Sequence, residues 1–463
     1  MLLCNSLYLM FRNTITHVNR PGRWLAYRIF KKREKISCTE ILDKQEEEKQ
    51  MQYLNKIPAW RFNSQSEEAW KKQKSGKSPG PDGLPAEYYK AFEEILSPQF
   101  KKLTEEMEVT YYPKEGMEKN KIQNYRPISL LNVDYKIFTT ILATRLKEIL
   151  GEIIHKDQTG LIPESKLSSN IRTIINILEY YELHLEKQMM LMFLDAEKAF
   201  DNVNWEFKLL QLKKMGAEGT FLQTINAIYS KQEARIKING NLTESIQIEQ
   251  GTRQGSPLAP LLFILTLEIL NKQIRANEGV KGLKIRGEEF KVQAYADDLV
   301  IILENPLENL EELLRVIEDY GQVVGLKINV TKIMTKNMKK EDVKKLVRET
   351  NFEVVQKSKY LGVTITKKPS NLMKENYLRI QKEIQEKLEE WSKLQLMGRI
   401  SMIKMILPKL LFLFQNLPIL LNFKYFKDLD HLTANFVWKT KKPRIKLRLL
   451  QDLKERGHSG LLN

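Results

Sequence analysis

The chain has 463 residues, 42% of them hydrophobic, and carries 75 Lys plus Arg against 58 Asp plus Glu, a net charge of +17. That length and apolar content support several packed subdomains and exclude a disordered polymer, while the excess positive charge points to a polyanion, whether DNA, RNA or an acidic membrane surface. With Cys4 and Cys38 as its 2 cysteines, the chain can build neither a disulfide framework nor a Cys-rich zinc module, and a reducing intracellular compartment, nuclear or cytoplasmic, is expected.

Residues 1–75 are charge-rich, with RIFKKREK at 28–35 and DKQEEEKQ at 43–50, and show little apolar periodicity. They read as a basic lead-in, partly disordered or helical, able to lie along nucleic acid. The Gly- and Pro-dense SGKSPGPDGLP (75–85) is a loop. Its Gly76-Lys77-Ser78 ends like a phosphate-binding P-loop. However, Lys71 stands where the first glycine belongs, and Pro79 and Pro81 replace the helix that must follow. Residues 86–111 read as a helix, and Tyr112 to Asn124 as a hydrophilic stretch without a strand-like run. Apolar periodicity predicts helices over 134–150 and 170–186.

MMLMFL (189–194) has the character of a strand buried on both faces. The Asn-Gly pair at 239–240 predicts a hairpin within 235–249. Ser256 and Pro257 predict a helix start. EFKVQAYADDLVIIL (289–303) reads as strand, tight turn, strand. Alternation puts Phe290, Val292, Ala294 and Ala296 on one face, Lys291, Gln293, Tyr295 and Asp297 on a polar one, and Asp298 in the turn. Asn305-Pro306 opens a helix with Leu307, Leu310, Leu313, Leu314 and Ile317 on one side, ending at Gly321 or Gly325. Strands are expected in KINVTKIM and KYLGVTI (359–365), and amphipathic helices from about 370 onward. The apolar stretch from Met405 to Leu421 is cut by Pro408, Lys409, Gln415, Asn416 and Pro418, which marks a core segment and not a membrane span.

Strands alternating with helices and hairpins imply an α+β fold with a mixed or antiparallel sheet. Asp195 ends one apolar strand and Asp297-Asp298 sits in the hairpin of another. Each alone is an ordinary cap or turn. Adjacent carboxylates repel unless a cation compensates, and oxygen-only donors suit Mg²⁺. If the strands are neighbours, the three carboxylates can share two divalent ions and drive phosphoryl transfer. Polymerase, nuclease and phosphatase chemistry all remain open on this ground.

NYRPISLLN (124–132), FLDAEKAFD (193–201), GTRQGSPLAPLLF (251–263), YADD (295–298), GLKINVTKI (325–333) and YLGV (360–363), in that order, resemble the motifs of reverse transcriptases of LINE-type (non-LTR) retrotransposons. The resemblance implies a right-hand polymerase with fingers over 76–188, a palm over 189–366 and a helical thumb over 367–463. It implies Asp195, Asp297 and Asp298 as catalytic, metal-holding residues, with the Ala196 carbonyl as a further metal contact. Two Mg²⁺ ions, or Mn²⁺, would serve as cofactors. Arg126, Phe200, Gln254, Gly255 and Lys332 would bind the nucleotide, Phe200 by crowding a 2′-hydroxyl. Tyr360, Leu361 and Gly362 would grip the primer. The implied partners are an RNA template, a DNA primer and dNTPs, with no zinc and no membrane.

The family's endonuclease and Cys-rich segments have no counterpart in the residues, so a truncated copy is expected. The family's apolar strand before the RPISL motif is also expected to be missing, since YPKEGMEKNKIQN stands there. That leaves a catalytically dead, nucleic-acid-binding remnant as the alternative to an active enzyme.

Overall fold

The computed structural model describes residues 64–91, 107–113, 125–196, 202–217, 219–230, 232–238, 241–248, 250–253 and 255–439. The earliest described element is a helix, α1 (Ser64–Lys71). Where a solvated lead-in was expected, Ala69 and Trp70 are buried, packed with Ala86 and Tyr89 of α2 (Ala86–Ala91) and with Val133, Ile137 and Ile141 of α3 (Val133–Ile153).

A first sheet contains the strand expected to be missing. β1 (Met107–Pro113) pairs antiparallel with β2 (Tyr125–Leu131) from Met107↔Leu131 to Pro113↔Tyr125. The helix expected over 86–111 therefore does not reach 111. Val109, Thr110, Tyr111 and Tyr112 are β-branched or aromatic and favour a pleated surface over a helix. On its other side β1 runs parallel to β4 (Gln232–Ile238). β4 pairs antiparallel with β5 (Asn241–Leu242), from Lys237↔Leu242 to Ile238↔Asn241, on either side of the Asn-Gly pair from which a hairpin was expected, and with β6 (Ile246–Ile248).

The second sheet has the order β12–β11–β3–β10–β9. Its members are β3 (Met189–Ala196), β9 (Val292–Tyr295), β10 (Asp298–Glu304), β11 (Ile328–Lys336) and β12 (Glu353–Val354). All neighbours are antiparallel except β11 and β12. β3 lies at the centre, and Met189, Met190, Leu191 and Met192 are each 0% exposed. Fully burying such a side chain stabilises by about 1.5–3 kcal/mol, which is why an unbroken apolar run forms the central strand.

Alternation divides the strand between two cores. Met190, Met192 and Leu194 pack with α7 (Ala259–Ala276) and α8 (Pro306–Val324). Leu191 and Phe193 pack with α4 (Leu167–Leu183), the hairpin β13 (Lys357–Tyr360) and β14 (Val363–Thr366), and the C-terminal helices. Those helices are α10 (Arg379–Glu390), α11 (Leu396–Ile406), α12 (Pro408–Asn416) and α13 (Phe423–Trp438). None of the helices among the described residues is long and apolar enough to cross a membrane.

Several local expectations shift. α7 begins at Ala259 with Pro260 in its first turn and Leu258 as its N-cap, because Ser256 belongs to a preceding turn in which its amide donates to the Arg253 carbonyl. On α8, Leu310, Leu313 and Ile317 are buried but Leu307 is 43% exposed, lying on the first turn before the helix meets the sheet. Gly325, at φ +78, ends that helix in the left-handed conformation that glycine adopts without penalty. Phe290 belongs to a separate strand, β8 (Glu288–Phe290), paired with β7 (Leu283–Ile285), and joins the core opposite to that of Val292 and Ala294.

Candidate functional site

The two acidic positions meet through strand register. β10 and β3 pair from Glu304↔Met189 to Leu299↔Leu194, so Asp298 and Asp195 are the residues next to the last pair at the same end of the ladder. On its other side Asp195 pairs with Asn329 of β11. Asp298 opens β10 opposite Tyr295, so Ala296 and Asp297 form the two-residue turn. This corrects the expected placement of Asp298 in the turn. Ala296 sits at φ +54, a left-handed conformation that is uncommon and strained for a non-glycine residue. Asp298 is exposed and Asp297 half-buried, so the carboxylates stand at the open end of an otherwise buried sheet.

The face expected to be polar is buried. Lys291 and Gln293 are 5% and 4% exposed. Lys291 Nζ donates to the carbonyls of Arg275 (3.1 Å) and Asn277 (2.7 Å), ending α7 with a cation where unpaired carbonyls collect. A buried polar side chain persists only with such partners.

The hairpin β13–β14 approaches the same end of the sheet. Its register Tyr360↔Val363 leaves Leu361 (φ +48) and Gly362 (φ +78) as a two-residue turn, which is a hairpin in place of a lone strand. The Tyr360 ring packs edge-on against Phe193 at 6.4 Å, and its hydroxyl lies 3.4 Å from Asn170 Nδ2. Burial pushes the Tyr360 hydroxyl well above its ordinary pKa; the Asn170 hydrogen bond opposes this and the nearby Asp298 carboxylate adds to it.

The segment 250–256 is held between two elements. The Gly251 carbonyl accepts from Trp205 Nε1 (2.6 Å) and Lys208 Nζ (3.0 Å), both on α5 (Trp205–Lys214). Gly255, at φ +115, would bring an added Cβ to 3.0 Å from the Ser129 carbonyl of β2. Only a residue without a side chain permits this approach. Lys208 is 3% exposed, sits 4.6 Å over the Tyr229 ring, and is pushed down to about 7 by burial.

Lys332 is exposed on β11, paired with Phe193 and Glu353, beside a bulge between Val330 and Lys332. Arg126 lies in β2 across from Tyr112, and Ala196 at the end of β3 across from Ile328. Phe200 and Gln254 lie outside the described residues. Among the described residues, no set of three His, Cys, Asp or Glu side chains forms a metal centre.

Sequence reasoning passed over the segment His155–Gly160, which runs beside β9. Its signal was a short polar run with a glycine between two long apolar helices. Asp157, Gln158 and Thr159 are all nearly buried.

An antiparallel sheet layered with helices, with acidic residues at the ends of its paired inner strands, defines a palm-type polymerase fold. A family model described as reverse transcriptase (RNA-dependent DNA polymerase) matches residues 112–365. The chain belongs to the reverse transcriptase family.

Similar proteins include a Xenopus laevis transposon TX1 uncharacterized 149 kDa protein, 29% identical over 68% of this chain and 25% of that protein. A second is the retrovirus-related Pol polyprotein from the type-2 retrotransposable element R2DM of Drosophila melanogaster, 27% identical over 53% of this chain and 24% of that protein. A probable RNA-directed DNA polymerase from the Drosophila melanogaster transposon BS is 24% identical over 55% of this chain and 29% of that protein. The chain thus spans about a quarter of the length of these relatives. The resemblance drawn from the motifs agrees with these matches.

Proposed function

We propose that the chain is the polymerase core of a LINE-type retrotransposon reverse transcriptase, joining dNTPs to a DNA primer on an RNA template inside the cell. The observation that carries this reading is the register of β3 on β10, whose last pair, Leu194↔Leu299, has positions 195 and 298 next to it at one end of the sheet, with Asp297 in the adjoining turn. Asp195, Asp297 and Asp298 would offer only carboxylate oxygens at one end of the sheet, a donor set suited to Mg²⁺ or Mn²⁺. Divalent ions held there would supply charge neutralisation on the triphosphate and activation of the primer 3′-hydroxyl.

The remaining roles belong to the chain. Arg126 and Lys332 would hold the triphosphate. Phe200 would lie under the sugar and exclude a 2′-hydroxyl. Gln254 and Gly255 would let the backbone approach the nascent base pair. Tyr360, Leu361 and Gly362 would seat the primer end beside the carboxylates, and the Asp298–Tyr360 proximity supports that placement. Basic residues of the C-terminal helices would follow phosphates without reading sequence. The remnant alternative drew on a missing strand before the RPISL motif. The pairing of β1 with β2 and β4 argues for the active reading.

The test is extension of a DNA primer on an RNA template with dNTPs and Mg²⁺. The wild type incorporates nucleotides, while Asp195→Asn, Asp297→Asn and Asp298→Asn each abolish incorporation but bind template–primer normally. Salt-sensitive binding without incorporation by the wild type would instead favour the remnant.

A further inference from the structure

We infer that Gln158 is a positioning residue for the Asp297–Asp298 turn, holding the Ala296 peptide at both of its ends so that the two carboxylates keep one placement. The inference deepens the polymerase reading and rests on it.

Gln158 is 1% exposed and lies parallel to Ala294 as an isolated bridge on β9. Its Oε1 accepts from the Ala296 amide and from the Gly160 amide, each at 2.9 Å. Its Nε2 donates to the Ala296 carbonyl at 3.2 Å. One side-chain amide therefore satisfies both backbone groups of the residue that precedes Asp297. A carboxamide suits this place because it presents a donor and an acceptor together.

The surrounding contacts fix where Gln158 stands. The Ala294 amide donates to the Asp157 carbonyl at 2.9 Å, and the Thr159 amide donates to the Ala294 carbonyl at 3.0 Å. Asn170 Nδ2 donates to that same carbonyl at 2.7 Å. β9 is the last strand of its sheet, so this segment is what borders it on the outer side. Gly160 comes so close that an added Cβ would collide with the Ala296 amide nitrogen. Ala296 keeps its φ of +54 within this frame. A strained turn holds its shape only where its surroundings over-determine it. Reacting groups need placement within about 0.5 Å, and a two-residue turn at a sheet edge does not supply that alone.

The test uses the full chain with Gln158→Met, which keeps the length and removes the polar atoms, and Gln158→Glu, which keeps an acceptor for the two amides. Gly160→Ala pushes on the turn with Gln158 intact. Three quantities are measured: amide hydrogen exchange at Ala296 and Gly160 without metal, template–primer affinity, and kcat and dNTP KM for single-nucleotide incorporation. Gln158→Met is expected to speed exchange at Ala296 and to lower kcat about 10- to 100-fold, the range seen when supporting hydrogen bonds of ligating groups are removed. Template–primer affinity and dNTP KM stay unchanged. Gln158→Glu restores the protection, and Gly160→Ala reproduces the loss of kcat. Unchanged exchange in Gln158→Met overturns the inference, as does faster exchange with an unchanged kcat. If Gln158→Met does not fold, the Gly160→Ala kcat and the Gln158→Glu exchange decide it. A wild type that incorporates nothing refutes the polymerase reading instead, and the exchange measurements still decide whether Gln158 holds the turn.

Discussion

One nitrogen of Arg275, Nη1, donates to both carboxylate oxygens of Asp157, at 2.9 and 3.0 Å. The same guanidinium donates through Nη2 to Glu268, and His155 Nδ1 lies 3.1 Å from Asp157 Oδ1. This network ties the end of α7 to the segment that borders β9. Burial alone would raise the Asp157 carboxyl, but the His155 hydrogen bond and charge, followed by Arg275, hold it below its ordinary value. Its contribution to stability is therefore present above the ordinary carboxylate range and is lost as pH falls below it. Arg275→Leu leaves two buried carboxylates without their cation, at a cost of about 3 kcal/mol at pH 7. Arg275 lowers the pKa of both Asp157 and Glu268, so without it both carboxyls take up protons more readily and the deficit shrinks as acid protonates them. Urea unfolding at pH 7 and pH 5 checks this, and equal deficits at both would contradict it.

Lys208 gives a slope of the opposite origin. Burial lowers its pKa to about 7, so between that value and its unfolded pKa the folded protein holds one proton fewer. Stability should rise with pH over that window, by at most about 1.4 kcal/mol per pH unit. Lys208→Met keeps the stem over the Tyr229 ring and removes the proton. Urea midpoints at pH 7, 8 and 9 should rise for the wild type, and that rise should be smaller for the variant by the Lys208 share.

Gly255→Ala places a methyl at a φ of +115 and against the Ser129 carbonyl. The expected cost is about 1–3 kcal/mol of stability, with β2 pushed away from the 250–256 segment. Thermal unfolding reads the first effect. A raised dNTP KM in single-nucleotide incorporation reads the second.

Ala296→Gly tests the strained turn from the other direction. Glycine adopts φ +54 freely, so stability should hold or rise by up to about 1 kcal/mol. The turn then loses part of its restriction, and kcat should fall while the unfolding midpoint does not. A fall in both would place the residue's importance in folding alone.

Elements with a local cause were legible in the sequence. β3 announced itself as an unbroken apolar run, the Asn239-Gly240 hairpin by its turn residues, and the end of α8 by Gly325. β1 was not, because Glu105, Glu106 and Met107 favour a helix just before Val109 to Tyr112 favour a strand. Strand ends suggested that the acidic positions could be neighbours, and the register of β10 on β3 makes them so. The faces of β9 misled for a tertiary reason. Lys291 and Gln293 are polar and looked solvent-facing, yet both are buried, Lys291 donating to the carbonyls at the end of α7 and Gln293 to that of Val292. Gln158 could not be found from sequence, since a glutamine in a polar linker announces nothing until its amide meets Ala296.

The central strand of the second sheet has both of its partners downstream: β3 pairs with β10 on one side and with β11 on the other. A ribosome that has just finished Ala196 has therefore released a sticky, methionine-rich segment with no mate. At typical synthesis rates the wait for β10 lasts on the order of ten seconds. Translation speed across the intervening helices, and chaperone access during that interval, should govern how much nascent chain reaches the native state and how much aggregates.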